Sequence, residues 1–141
     1  MADIQLNAIH AQNTQTAKEL YISALGGKQQ LPAIKEIGFA SGTNYVCPDL
    51  SIIQPNPAIT ALPDEFLRVP ITNANKIYPT ANTLQIQVTF DVNESNVSGQ
   101  NLALFGLYDT AGNLIAFDNV GRLLLLSGNL KVTVNWLIKC P

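Results

Sequence analysis

The chain has 141 residues, 47% of them hydrophobic and 13% charged, with a net charge of −2. That length suits a single domain over residues 1–141, large enough to bury about two thirds of its unfolded surface in a core. Eight Lys and Arg without a cluster exclude a nucleic-acid binder, and no apolar run approaches the eighteen or so residues that insert into a membrane.

A charge content this far below the roughly 25% usual for soluble domains leaves two kinds of surface. Either it is neutral and amide-rich, or a partner covers part of it. The first residues, "MADIQLNAIHAQ", have neither the basic region nor the continuous apolar segment of a secretory signal. Residues 14–25 place Ala17, Leu20, Tyr21, Ala24 and Leu25 at helical spacing. Thr14 or Thr16 caps the start, and Gly26-Gly27 stands where a left-handed C-terminal cap is expected. One short amphipathic helix is predicted.

"PAIKEIGFASGTNY" reads as a strand entering a Gly-containing turn. Six prolines between positions 48 and 79 forbid a long helix or a central strand, so this stretch is predicted to meander and to carry short edge strands. Ile52, Ile53, Phe66, Leu67 and Val69 make it too apolar for a linker. "LQIQVTFDV" (84–92) and "KVTVNWLIK" (131–139) alternate apolar with polar residues, as strands with one wet face do.

Between those two strands, residues 102–108 and 113–117 read as the arms of a hairpin. Its turn is Asp109-Thr110-Ala111-Gly112, where Asp caps the local backbone and Gly supplies a positive φ. Both arms are apolar on both faces, so the hairpin must be covered twice. Either the helix of residues 14–25 lies on its second face, or another subunit does. Leu123, Leu124, Leu125 and Leu126 raise the same question, since an extended chain puts two of them on each side.

Chemistry is sparse. The single histidine, His10, has no partner constellation, and Asp64-Glu65 is the only adjacent acidic pair. "GGKQQ" lacks the spacing of a phosphate-binding loop. Cys47 and Cys140 read as two buried free thiols, a disulfide between them being the alternative. Asn93 and Asn96 stand in glycosylation-type triplets but, without a secretion signal, read as polar loop residues. No catalytic residue, metal site or cofactor site is predicted, and the chain is not expected to be an enzyme.

"FGLYDTAGNLIAF" resembles the GLFDxxGxLIA signature of bacteriophage tail-collar fibre proteins. Three other segments fall in that family's order. The helix ending in Gly-Gly followed by "AIKEIGFASGTNY" is similar to its helix, strand and Gly-Thr turn. "ALPDEFLRVPIT" is similar to its Leu-x-x-Glu-x-x-Arg-x-Pro segment, here with Glu65, Arg68 and Pro70, and "LKVTVNWLIK" to its closing strand. Two features depart from the pattern. Leu104-Phe105 precede Gly106 where the family carries an acidic and a branched aliphatic residue, which removes a possible charge partner for Arg68. The chain also stops at Pro141 where the family continues into a fibre, so the resemblance implies the attachment domain alone, and the family's receptor binding is not carried over to it.

The fold expected is mainly β, an antiparallel sandwich-like domain with one short N-terminal helix. The resemblance implies a structural virion protein of a phage tail or related contractile injection machine, made in the host bacterial cytoplasm. Its partners would be other tail, baseplate or fibre proteins and copies of itself, a trimer being favoured. The residues expected to carry structure and interface are Glu65, Arg68, Gly106, Asp109, Gly112 and the four leucines 123–126. The alternative is a carbohydrate-binding β-sandwich, which requires exposed aromatic platforms.

Overall fold

The computed structural model describes residues 2–139, so Cys140 and the thiol reading made for it lie outside the described residues. The fold is mainly β, a sandwich-like pair of sheets with one α-helix. Its strands are β1 (Ala2–Asn7), β2 (Gln12–Asn13), β3 (Ile34–Ala40), β4 (Glu65–Pro70), β5 (Lys76–Thr80), β6 (Thr83–Asp91), β7 (Asn101–Asp109), β8 (Leu114–Leu125) and β9 (Leu130–Lys139), with helix α1 (Gln15–Leu25) after β2. A four-stranded sheet has the order β1-β9-β6-β5, and a five-stranded sheet the order β2-β8-β7-β3-β4.

The alternating strands β6 and β9 pair in register along their whole length, and their apolar sides face the second sheet. Phe90 meets Phe39 with ring centres 4.7 Å apart, and Trp136 meets Phe105 edge-on at 5.5 Å. The opposite face of this sheet is a ladder of amides and hydroxyls: Gln87 donates to Asn135, Asn135 to Gln5, and Thr89 bonds Thr133. Uncharged groups that satisfy one another here account for part of the low charge content.

The expected antiparallel sandwich-like fold is present, with one parallel pairing within it: β1 lies parallel to β9. No hairpin links the first strand to the last, so turn geometry does not set their direction, and Ile4 and Leu6 still reach the core. As predicted, the proline-rich stretch supplies edge strands only, β4 closing one sheet and β5 the other.

The second face of the hairpin is covered from within the chain, though not by the helix. Thr14 donates its N–H to Ile115 O and its hydroxyl to Leu114 O, and its oxygen caps Ala17 N. These bonds tie the start of α1 to the edge of β8, so the helix runs beside the sandwich and buries none of its residues. The covering layer is the proline-rich segment between β3 and β4. Ser41 and Gly42 donate to Asp64 O and Pro63 O, which turns the chain back over the sheet. Tyr45, Val46, Ile52, Ile59 and Leu62 then pack on Ala103, Leu104, Tyr108, Leu114 and Phe117.

Candidate functional site

Three of the residues singled out in the sequence, Glu65, Arg68 and Gly106, meet where this layer is fastened to the sheet. Gly38 of β3 and Gly106 of β7 are cross-strand partners. A Cβ on Gly106 would stand 2.8 Å from Leu114 Cδ1, 2.9 Å from the Ala116 carbonyl oxygen and 3.3 Å from Leu62 Cδ2. One on Gly38 would stand 2.8 Å from Tyr108 Cε2 and 3.2 Å from Leu62 Cδ1. The two glycines therefore leave a slot that Leu62 of the covering layer enters.

Tyr108 closes the slot. Its hydroxyl accepts from Leu62 N at 3.0 Å and donates to Glu65 Oε2 at 2.8 Å. Glu65 also binds Arg68 through Nε and, at 3.4 Å, through Nη2, and Glu36 lies 3.6 Å from Arg68 Nη1. The Arg68 guanidinium rests 3.7 Å above the centre of the Tyr108 ring. Glu36 and Glu65 thus supply the charge partners that the two residues before Gly106 do not. Burial, reinforced by the neighbouring Glu65 carboxylate, pushes the Tyr108 phenol up to about 12. The hydrogen bond to Glu65 raises the pKa of Arg68.

The hairpin turn forms as the sequence predicts. Gly112 has φ 85°, and Asp109 Oδ1 accepts from Ala111 N and Asn113 N while Oδ2 accepts from Asn113 Nδ2. The second arm runs further than expected, through to Leu125, because residues 120–123 bulge outward opposite Ala103. On that bulge Leu123 N donates to Leu50 O. Leu123 packs into the proline-rich layer, while Leu124 and the buried Leu126 face the core between the sheets. Leu125 is 61% exposed, the one of the four that faces solvent.

Another open apolar surface lies beside the helix. A cleft of about 690 Å³ runs between α1 and the sandwich edge, lined by Leu20, Tyr21, Ile22, Leu31, Trp136 and Ile138 among others, with Lys18 and Lys139 also on its wall. Tyr21 is 53% exposed and Ile22 66%. Trp136 is 2% exposed, which leaves it no free face for a sugar ring, while Tyr78 is exposed on β5. Cys47 is half-buried rather than buried. Among the described residues no three of His, Cys, Asp and Glu come together as metal ligands.

Glu65, Arg68 and Gly106 are brought into one cluster, whereas Asp109 and Gly112 stand at the hairpin tip and the leucines at its far end. Tyr108, Leu62 and Gly38 belong to the cluster and were not singled out in the sequence. Gly38 had a signal, since a glycine inside a strand pattern marks close approach by another group. Leu62 had none. Comparison with known proteins returns no match: no family model, curated protein or solved structure is similar to this chain.

Proposed function

We propose that this chain is a structural component of a phage tail or a related contractile injection machine, an attachment domain that joins tail or baseplate to a fibre. One observation carries the reading. Three of the four segments that resemble tail-collar fibre proteins converge at a single interlock: the Ser-Gly turn after β3 bonds Pro63 and Asp64, and Glu65 and Arg68 close over Tyr108 beside Gly106. Residues spread over some seventy positions serve one fastening, which suits segments that belong together.

Such a protein works by assembly. Each buried leucine side chain contributes roughly 1.5 to 3 kcal/mol, so a contact of standard size, about 1,600 Å², holds without ion pairs, and symmetry multiplies its strength. The apolar surface beside α1 and the low charge content favour this over a stand-alone lectin.

The test is mass spectrometry and immunogold labelling of particles purified from the organism that encodes the chain. Label at the tail or baseplate is the expected result. Absence of the chain from particles, together with glycan-array binding by the isolated monomer, would replace this reading with the lectin.

A further inference from the structure

The first strand is held in the fold by one neighbouring strand and one short link. We propose that in the assembled protein β1 of each copy lies on β9 of the next, so that exchange of first strands joins the copies in a closed ring. The proposal rests on the assembly part of the reading above, not on the identity of the parent particle.

The seat for an exchanged strand is on view, because β1 fills it. β1 pairs with β9 alone, at the end of the four-stranded sheet, running parallel from Ala2↔Leu130 to Asn7↔Asn135. Ile4 and Leu6 enter the core, and Leu6 is 8% exposed. On the other face Asn135 Nδ2 donates to Gln5 Oε1 at 2.9 Å and to Asn7 Oδ1 at 3.2 Å, and Thr133 donates to Asp3 Oδ1. An empty seat would leave apolar core and the edge of β9 in water, so a strand of this sequence has to fill it. The two strands come from opposite ends of the chain, and no hairpin obliges them to belong to the same copy. A second copy supplies the same strand and the same bonds, so exchange loses no contact.

The link decides which copy fills the seat. Only residues 8–11 separate β1 from β2, which lies in the other sheet. Within one chain the link doubles back at once: Ala8 N donates to Asn135 O, and Ile9 N to Asn7 O in a turn of three residues. His10 N then donates to Asp118 Oδ2, and from Gln12 the chain is fixed to β8. A connection this short favours exchange over folding back. Ile9, at the bend, is 75% exposed, more than any other large hydrophobic among the described residues. With the link drawn out between two copies, Ile9 stands at their junction. Four extended residues reach about 13–14 Å, so the exchanging edges lie against each other. Strand and seat are different surfaces, so the contact is heterologous and closes into a ring when the rotation permits.

Gln5 and Thr133 are cross-strand partners, so cysteines at the two positions meet when β1 is seated. The test is oxidation of a Gln5→Cys, Thr133→Cys chain that also carries Cys47→Ser and Cys140→Ser, read on denaturing gels without reductant. Exchange predicts covalent species up to three times the 15.2 kDa of one chain, collapsing to single chains on reduction. Disulfides closed within single chains, in a sample that light scattering shows to be oligomeric, overturn the exchange and leave the assembly reading standing. Thiols that stay free in that oligomer overturn it too, since β1 is then not seated on β9. An unmutated chain that runs at single-chain mass overturns both. A second measurement needs no cysteine: about six Gly and Ser residues inserted after Ile9 let β1 fold back freely, so the oligomer shifts towards single chains. An oligomer whose mass the insertion leaves unchanged overturns the role of the link.

Discussion

Gly38 and Gly106 face each other across the β3–β7 ladder, and Leu62 enters the slot left by their missing side chains. The proline-rich layer is thereby keyed to the sheet by absent atoms. Gly106→Ala should lower stability by about 1–3 kcal/mol, because its Cβ meets a backbone carbonyl that cannot turn aside. Chemical denaturation checks this, and a loss below about 0.5 kcal/mol would mean that the slot has slack.

Arg68 stacks on Tyr108 while binding Glu65 and Glu36. Arg68→Ala removes the stacked cation and leaves Glu65 bound to Tyr108 alone, so a loss of about 1–2 kcal/mol is expected. Lys at this position should recover only part of it, lacking the planar fork that binds carboxylate and ring together. If Arg68→Ala changes neither the melting temperature nor assembly, the residue does not fasten the layer.

Burial of the Tyr108 phenol gives stability a pH dependence with a definite sign. Its folded pKa, about 12, lies above the ordinary tyrosine value of about 10. The fold therefore favours the protonated form. Its contribution is complete below about pH 10 and is lost as pH rises through 12, up to roughly 2–3 kcal/mol. Absorbance titration should show one phenol ionising near 12, and Tyr108→Phe should abolish that step. A titration in which Tyr108→Phe removes a step near pH 10 would place the hydroxyl in contact with solvent.

At Gly112 the strain is purely of the backbone, since a Cβ there meets no atom within 4 Å and φ is 85°. Gly112→Val should destabilise by about 1 kcal/mol or more, and Gly112→Asn by less, because Asn tolerates the left-handed region. Equal losses for the two variants would contradict the conformational origin.

These elements were unequally legible in the sequence. β6, β9 and the Asp109–Gly112 turn could be read directly, since strict alternation and turn chemistry are local. The helix was legible as an element but not in its placement. Its spacing announces an apolar face, but only the long-range bonds of Thr14 to Leu114 and Ile115 decide that this face stays open. β1 was missed although Ile4 and Leu6 alternate with Asp3, Gln5 and Asn7, because six residues carry little periodicity. The two-sided hairpin was read correctly as twice covered. That the cover is the proline-rich segment depends on Leu62 finding a slot between two glycines sixty-eight positions apart, which no local pattern records.

The four leucines differ in what covers them. Leu124 faces the core, so Leu124→Asp should unfold the chain, while Leu125→Asp, at an exposed position, should leave circular dichroism unchanged. If Leu125→Asp also unfolds, its side chain is covered within the monomer.

The claim on which the functional account turns is that this chain assembles with itself. Multi-angle light scattering of the unmutated chain at the highest concentration it tolerates tests that most directly. The account predicts a discrete mass at three times the 15.2 kDa of one chain, stable to dilution and to high salt because the contacts are apolar. A single-chain mass throughout would contradict it.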